Sequence, residues 1–183
     1  MENYKNPQNE ANKLSEKKEK FTNALHEVNH TIDKLGLGID EDIKETVALL
    51  RTMGFPTSSS CAGHAEKGKI AIPYIEVYAK APEGWKDDKA KQGEWRIENE
   101  GYQKQMAEVL QQFYTDRLIP TRDIMINIQK MGIFGGFRIN SMGKGDPSEL
   151  GIKTEEEMIE KIKQYQNEMT VFTEFLKQNI LRD

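Results

Sequence analysis

The sequence contains one cysteine, three histidines and two tryptophans among its 183 residues. A single cysteine excludes an internal disulfide, and a lack of disulfides is typical of proteins in a reducing cytoplasm. No apolar run approaches the roughly 18 residues that a membrane-spanning helix needs. Residues 1–20 are polar throughout and lack the apolar stretch of a signal peptide. We therefore expect a cytoplasmic protein that has no membrane partner.

Basic residues are too few to predict a nucleic-acid partner. The chain has 26 Lys and Arg against 30 Asp and Glu, and its formal net charge is −4. Affinity for a phosphate backbone depends on clustered Lys and Arg, which this balance does not favour. Charged residues make up 31% of the chain and hydrophobic residues 37%. These proportions favour long solvated helices around one domain over two separate domains.

Apolar residues recur at a spacing of three or four near both ends of the chain. After a flexible tail at residues 1–9, residues 10–35 predict a long amphipathic helix. A capping box of Thr154 and Glu157 begins another long helix over residues 154–181. Its apolar stripe comprises Met158, Ile162, Tyr165, Met169, Phe172 and Leu176. Because such stripes need a cover, we expect them to pack against each other, against a helical protein partner or across a homodimer.

The middle of the chain predicts two more helices and four strands. Asp40 and Asn99 are suited to the N-cap positions of the helices, which end near Gly54 and Leu118 respectively. The strands are a short extended segment from Phe55 and then residues 69–79, 123–129 and 133–140. This order of elements predicts an α+β fold, in which helices cover a mainly antiparallel sheet of about four strands. Residues 10–183 then form a single domain.

Two segments interrupt this pattern. Pro73 lacks a backbone donor, so it places the 69–79 strand at a sheet edge or introduces a bulge. Residues 80–97 have no periodicity and predict a long loop that carries both tryptophans, Trp85 and Trp95.

Alternation in the last two strands separates an apolar face from a polar one. When the isoleucines turn inward, the opposite face carries Asn127, Gln129, Arg138 and Asn140, with Glu76 on the neighbouring strand. If this face is a site, Arg138 is suited to bind a carboxylate or a phosphate, with Glu76 beside it. The alternative is an ordinary solvated sheet face.

Residues 57–64 form the strongest candidate site. They place the single cysteine among small hydroxyl residues and a glycine, between a helical pattern and a strand pattern. Loops held by rigid elements concentrate ligand contacts, and their free N–H groups suit an anion. The candidate catalytic residues are Cys61 and His64, and the candidate ligand-binding residues are Thr57, Ser59, Ser60 and Gly63.

The expected chemistry of this segment depends on the state of the thiol. A cysteine beside a histidine and unpaired N–H groups has a lowered pKa and acts as a nucleophile. The alternative is that Cys61 is a small buried residue with a purely structural role.

Residues 35–78 resemble a group of small, uncharacterised bacterial and phage-type proteins. The shared pattern is G-I-D, a helix, G-x-x-T-x-x-S-C-x-G-H and a strand that begins with proline and an aromatic residue. In this chain it comprises Gly38-Ile39-Asp40, Gly54, Thr57, Ser60-Cys61-Ala62-Gly63-His64 and Pro73-Tyr74. The resemblance implies no activity. If the pattern marks a site, the matching positions are Thr57, Ser60, Cys61, Gly63 and His64.

A shorter resemblance covers residues 59–63. Ser59-Ser60-Cys61-Ala62-Gly63 is similar to the S-S-C-S-G-R loop of the wybutosine-synthesising methyltransferase family, which acts on transfer RNA. This chain has His64 where that family has arginine, and its acidic balance argues against an RNA substrate.

The segment His26-Glu27-Val28-Asn29-His30 matches the H-E-x-x-H motif of zinc proteases. That chemistry needs a third metal ligand and Glu27 as the base. With Leu25 and Val28 turned inward, the ~100° per residue of an α-helix points His26 and His30 away from the packed side. We therefore expect no protease and no bound metal. The one alternative metal set combines His26, His30, Cys61 and His64.

These observations predict a protein that binds a small polar or anionic molecule at residues 57–64, with or without catalysis. The sequence indicates no particular cofactor. The alternative hypothesis is a non-enzymatic interaction or regulatory protein, encoded by a phage or a mobile element, that acts through its long terminal helices.

Overall fold

The computed structural model describes residues 7–32, 36–66, 68–115, 117–143 and 147–182. Within them the helices are α1 (Pro7–His30), α2 (Glu41–Thr52), α3 (Lys89–Thr115) and α4 (Glu155–Leu181). The strands are β1 (Thr57–Cys61), β2 (His64–Glu66), β3 (Lys69–Ala71), β4 (Tyr74–Val77), β5 (Ile126–Met131) and β6 (Gly136–Ser141). The predicted α+β fold is confirmed. No helix within these residues is long and apolar enough to cross a membrane.

The second half of α1 packs on the rest of the protein, whereas its first half is largely exposed. Ala24 and Val28 are buried, and Leu14 is half-buried within the exposed stretch of residues 12–20. The helix begins at Pro7, so residues 7–9 of the expected tail are helical, and residues 1–6 lie outside the described residues. The described helix ends at His30, before the predicted end at residue 35, and residues 33–35 also lie outside the described part of the chain.

Four strands form one antiparallel sheet in the order β1-β4-β6-β5. Its apolar face carries Ile75, Val77, Ile126, Phe137 and Ile139, which are all buried. These residues share one hydrophobic core with residues of all four helices. Because alternate residues of a strand point to opposite faces, the other face receives the polar side chains of the same strands.

Residues 69–79 form two strands rather than the single predicted one. β3 ends at Ala71, β4 begins at Tyr74, and Pro73 lies in the break. The expected disruption at Pro73 is therefore confirmed, because proline cannot donate to a strand ladder. β3 pairs with β2 in a separate two-stranded sheet. β4 lies between β1 and β6, so an edge position for this part of the predicted strand is wrong.

The prediction of a long loop over residues 80–97 is wrong. A 3-10 helix spans Trp85–Asp87, and α3 begins at Lys89, ten residues before the predicted N-cap at Asn99. Asp88 takes the capping role instead, since its carboxylate accepts hydrogen bonds from the N–H groups of Ala90 and Lys91 at 2.9 and 3.2 Å.

Asn99 is buried in the interior of α3 and ties the helix to its surroundings. Its side chain accepts a hydrogen bond from the Ala79 N–H at 2.7 Å and donates one to the Phe134 carbonyl at 3.0 Å. Trp95 stacks on Phe134 at 4.7 Å between ring centroids. These tertiary contacts fix a helical segment whose sequence shows no helical apolar period.

The hairpin of β5 and β6 is shorter than predicted. Its second strand begins at Gly136, and Ile133 lies in the turn with 79% of its surface exposed, so its predicted place on the apolar face is wrong. A Cβ at Gly136 would fall 1.8 Å from the Tyr78 ring. The absence of a side chain at Gly136 therefore lets the Tyr78 ring pack directly on the backbone of β6.

The predicted capping box of α4 is confirmed, because Thr154 accepts from the Glu157 N–H and the Glu157 carboxylate accepts from the Thr154 N–H. The apolar stripe of α4 is divided between two clusters. Met169, Phe172 and Leu176 belong to the main core, which also contains Ala24 and Val28 of α1. Ile162 and Tyr165 belong to a second cluster with Ile70 of β3. The buried parts of the two terminal stripes are thus covered within one chain.

Candidate functional site

Residues 57–64 are strand for most of their length, and the prediction of a loop there is wrong. β1 ends at Cys61 and β2 begins at His64, so only Ala62 and Gly63 connect them. The segment has no apolar alternation, and its pairing with β4 sets its conformation. Ser60 lies opposite Ile75 of the apolar face, whereas Cys61 lies opposite Tyr74 of the polar face.

The pairing confirms that the predicted polar residues share one face of the sheet, here named the outer face. Two rows of side chains cross it at right angles to the strands. One row contains Cys61, Tyr74, Asn140 and Asn127, and the next contains Ser59, Glu76, Arg138 and Gln129. The single cysteine and the candidate ligand-binding residues Glu76 and Arg138 are thereby brought to the same surface.

Arg138 lies near the centre of the outer face and is held on two sides. Its Nη2 donates to Glu76 Oε1 at 2.5 Å. Its Cζ lies 3.9 Å from the centroid of the Tyr74 ring. The side chains of Arg138 and Glu76 are 32% and 19% exposed. Their charges therefore offset each other in a partly desolvated place, and the planar guanidinium is fixed by its stacking on the ring.

Four buried polar atoms on or behind the outer face have no hydrogen-bond partner among the residues that the structure describes. They are Arg138 Nε, Asn140 Oδ1, Asn127 Oδ1 and Tyr165 Oη. The Asn140 amide donates from Nδ2 to the Ser141 carbonyl at 2.8 Å, which assigns the partnerless position to its oxygen. A buried polar atom without a partner costs about 1–3 kcal/mol, so folded proteins contain few of them. These atoms make the outer face a candidate place for a ligand or for ordered water.

A cleft of about 380 Å³ lies over this part of the outer face. We name it the outer-face cleft. Its lining consists of Ile70, Ala71 and Ile72 from β3 and its end, Tyr74, Gln129, Arg138 and Asn140 from the main sheet, and Gly143. Its volume falls in the range of about 300–1,000 Å³ that is typical of small-molecule sites.

Tyr165 of α4 lies directly behind the lining of this cleft. Its hydroxyl is so close to Gly143 that a Cβ at that residue would fall 2.1 Å from it, and its ring packs with Ile70. Burial raises the pKa of Tyr165 to about 12, and the nearby Asp123 carboxylate contributes. The hydroxyl therefore remains a donor over the whole physiological pH range.

Contacts from two helices hold the turn after Cys61. The Ala62 N–H donates to the Asp40 carboxylate at 2.8 Å. Gln166 Nε2 of α4 donates to the carbonyls of Ala62 and Gly63 at 3.2 and 3.1 Å. The expected side-chain cap of α2 by Asp40 is absent, and this carboxylate binds the turn instead. The G-I-D and S-C-x-G-H parts of the sequence pattern therefore meet in space.

The backbone and the packing at position 63 both require a glycine. Its φ is +87°, and a Cβ there would fall 2.6 Å from Cδ of Pro73. The positive φ and the contact with Pro73 both require a glycine at this position.

Cys61 and His64 are close, but the pKa of the Cys61 thiol shifts in the opposite direction to the predicted one. Cys61 Sγ lies 3.6 Å from His64 Nδ1 and accepts a hydrogen bond from the Gly63 N–H at 3.3 Å. Burial has the largest effect and raises the pKa of the Cys61 thiol, and the nearby Asp40 carboxylate also raises it. The hydrogen bond from the Gly63 N–H and the positive charge of Arg138 lower this pKa. The net direction is upward, so the prediction of a lowered pKa is wrong. The thiol is half-buried and stays protonated at neutral pH.

The other predicted ligand-binding residues line a different cleft, of about 260 Å³. Thr57, Ser59 and Ser60 lie there with Arg51, whose Nε donates to Thr57 Oγ1 at 2.8 Å. We name this the edge cleft because β1 is an edge strand of the main sheet.

Sequence reasoning missed Arg51 and Tyr165 as members of these surroundings. Arg51 comes only six residues before Thr57, at the end of α2, and this proximity was an available signal. Tyr165 continues an apolar stripe, so its sequence position resembles any core position.

The histidines of the H-E-x-x-H segment lie apart from the packed side of α1, as predicted. His26 and His30 are both exposed, their ring centroids are 4.3 Å apart, and His30 Nδ1 lies 2.7 Å from the His26 carbonyl oxygen. Within the described part of the chain, no three His, Cys, Asp or Glu residues are grouped to hold a metal ion.

Comparison of the chain with family models, with curated proteins and with solved structures found no match. Its fold and its site define it as an α+β protein with a polar cleft on the outer face of its sheet.

Proposed function

We propose that this protein binds a small polar molecule in the outer-face cleft, next to Cys61. The observation that carries the proposal is that two residues of the cleft lining, Arg138 and Asn140, hold buried polar atoms that have no hydrogen-bond partner among the described residues. A solvated sheet face would leave such atoms to water, but here they are buried. A ligand that pairs with them recovers the hydrogen bonds that the folded chain lacks.

Two further features support a site at this place. The stacking on Tyr74 and the pairing with Glu76 hold Arg138 in one orientation, so little side-chain freedom is lost on binding. Ile70 and Ile72 add apolar surface to the lining. A mainly apolar or mixed cleft with a few fixed polar groups is the usual composition of a small-molecule site.

The proposal assigns binding to the cleft and no chemical step to Cys61. A protonated, half-buried thiol is a poor nucleophile, because the thiolate is the reactive form. The alternative of an interaction protein that acts through its terminal helices has less support. The apolar stripe of α4 and the second half of the α1 stripe are already covered within the chain.

Native mass spectrometry of the purified protein, followed by melting measurements with small polar metabolites, tests the proposal. We expect a bound small molecule, or a metabolite that raises the melting temperature of the wild type. Asn140→Ala should abolish the effect because it removes one cleft acceptor. Lys130→Ala changes an exposed residue of β5 outside the cleft lining and should retain it. Binding that is equal in both variants, or absent in the wild type, would contradict the proposal.

A further inference from the structure

We infer that the ligand of the outer-face cleft is a neutral molecule with an amide-type edge, meaning an N–H donor next to a carbonyl acceptor. This inference rests on the proposed function and assigns the chemical class of its ligand. Carboxamides and nucleobase-like heterocycles share this edge.

The first argument is the charge of the cleft. Among the described residues, Arg138 is the one cationic side chain in the lining, and its guanidinium is already paired with Glu76 at 2.5 Å. A carboxylate or phosphate ligand would therefore approach Glu76 as well as Arg138 and would be repelled by it. Lys161, the cation beside the Tyr165 ring, is likewise paired, with Asp123. An uncharged ligand avoids this repulsion and keeps both ion pairs intact.

The second argument is the kind of partner that the buried atoms require. Of the partnerless atoms that belong to lining residues, Arg138 Nε carries a proton to donate, whereas Asn140 Oδ1 only accepts. A carboxylate offers acceptors alone at neutral pH and would leave Asn140 Oδ1 without a partner. An amide edge offers one donor and one acceptor side by side, so it can pair with an asparagine oxygen and with Arg138 Nε.

The third argument is the position of Asn140 relative to Arg138. Asn140 lies two residues after Arg138 on β6, so the two side chains occupy neighbouring rows of the same face, and both line the cleft. Their donor and acceptor atoms therefore lie in adjacent rows of the cleft floor. A volume of about 380 Å³ accommodates a single heterocycle or a small carboxamide.

The test uses probe pairs that differ mainly in charge. Nicotinamide is compared with nicotinate, uracil with orotate, and inorganic phosphate is included as a simple anion. Titration calorimetry or amide NMR shifts of the full chain give the dissociation constants. We expect nicotinamide or uracil to bind at least about tenfold more tightly than its charged counterpart. The two neutral probes distinguish a carboxamide site from a site for a heterocycle.

Two variants connect the preference to this cleft. Asn140→Ala should remove the binding of the neutral probe, and Lys130→Ala should not. Glu76→Gln removes the carboxylate that pairs with Arg138 and should strengthen nicotinate or orotate binding by about tenfold. Circular dichroism establishes that each variant is folded, and Asn140→Leu, which keeps the shape of the side chain without its amide, replaces Asn140→Ala if the latter is unfolded.

Tighter binding of nicotinate, orotate or phosphate by the wild type, abolished in Asn140→Ala, would overturn the inference and leave the proposed function in place. An unchanged nicotinate affinity in Glu76→Gln would also overturn it, because the charge argument requires a gain. If no probe binds the wild type, the inference fails, and the native mass spectrum of the purified protein decides the proposed function separately.

Discussion

The half-buried Tyr114 and the buried Tyr165 have hydroxyls in contrasting surroundings. The Tyr114 hydroxyl donates to Glu168 Oε1 at 2.8 Å and accepts from the Ile126 N–H at 2.8 Å. The same Glu168 is held by Arg117 through two hydrogen bonds of 2.8 and 3.0 Å. This network is complete and joins α3, α4 and β5. The Tyr165 hydroxyl is buried but has no partner among the described residues.

The contrast predicts opposite effects of the same substitution. Tyr165→Phe removes a partnerless hydroxyl, so the free energy of unfolding of the ligand-free protein should stay unchanged or rise by up to about 1 kcal/mol. Tyr114→Phe should lower it by about 1–3 kcal/mol, because Glu168 and the Ile126 N–H each lose a bond. Urea denaturation measures both. Equal losses in the two variants would indicate that Tyr165 has a partner after all.

Cys61 gives a second prediction at the scale of single residues. Because its pKa is raised, iodoacetamide labelling of the native protein should set in above the pH of about 8.5 at which a free thiol is half ionised. Asp40→Asn should shift labelling to lower pH, since it removes a negative charge near the thiol while its amide oxygen can still accept from Ala62. Asp42→Asn, at an exposed position of α2, is the matched control.

The same pKa shift has a consequence for stability. A thiol whose folded-state pKa exceeds its unfolded-state pKa contributes stability that is full below the unfolded-state pKa and is lost as the pH rises through the folded-state pKa.

In the labelling experiment, native labelling at or below pH 8.5, with no difference between Asp40→Asn and Asp42→Asn, would contradict this description of the site.

The turn after Cys61 allows a prediction about Gly63. Gly63→Ala adds the strain of a positive φ and a contact of 2.6 Å with the Pro73 ring, so it should cost more than about 2 kcal/mol of stability. Gly68→Ala is the control, because Gly68 has a φ of +75° and nothing within 4 Å of the added Cβ. Chemical denaturation should separate the two. A loss in Gly63→Ala no greater than in Gly68→Ala would exclude the packing argument.

At the scale of elements, the sequence predicted best where alternation or helical period is strong. The polar face of Arg138 and Asn140 followed from strand alternation, and the stripe of α4 followed from its period. The strand at residues 57–61 could not be predicted in this way, because a run of serines carries no alternation and pairing with β4 decides its conformation. The start of α3 was missed for a related reason, since Asn99 and Trp95 bind the Ala79 region.

The same distinction applies to the candidate site, because part of it follows from local sequence patterns and part does not. Which side chains share the outer face is a local property of each strand and could be predicted. That Tyr165 lies behind the cleft and that Asp40 binds the Cys61 turn depends on how distant elements pack. No local pattern in the sequence contains that information.

α4 provides the prediction at the scale of an element. Ile162→Asp and Met169→Asp each place a carboxylate at a buried position, where side chains are 5% and 4% exposed. The lost apolar contacts and the buried charge should cost about 3–5 kcal/mol in each case. Ile159→Asp, at a position 43% exposed, should have little effect. Thermal unfolding is the measurement, and similar losses at all three positions would show that the orientation of α4 is misassigned.

At the scale of the whole molecule, α4 connects two hydrophobic clusters. Ile162 and Tyr165 lie in the cluster with Ile70, and Met169 and Phe172 lie in the main core. The two tryptophans lie elsewhere, in an aromatic group with Tyr78 and Phe134. Because one continuous helix of 27 residues spans both clusters, unfolding of the smaller one should destabilise the larger.

This arrangement predicts one cooperative unfolding transition. Tryptophan fluorescence should report the same midpoint as far-ultraviolet circular dichroism, which follows all the helices. The Ile162→Asp variant should lower both midpoints together, by roughly 10 °C, although Ile162 belongs to a different cluster from the tryptophans. A fall in the circular dichroism midpoint alone would mean that β2, β3 and the first half of α4 unfold independently. The outer-face cleft would then be lined on one side by a separately folding unit, and ligand binding should stabilise that unit first.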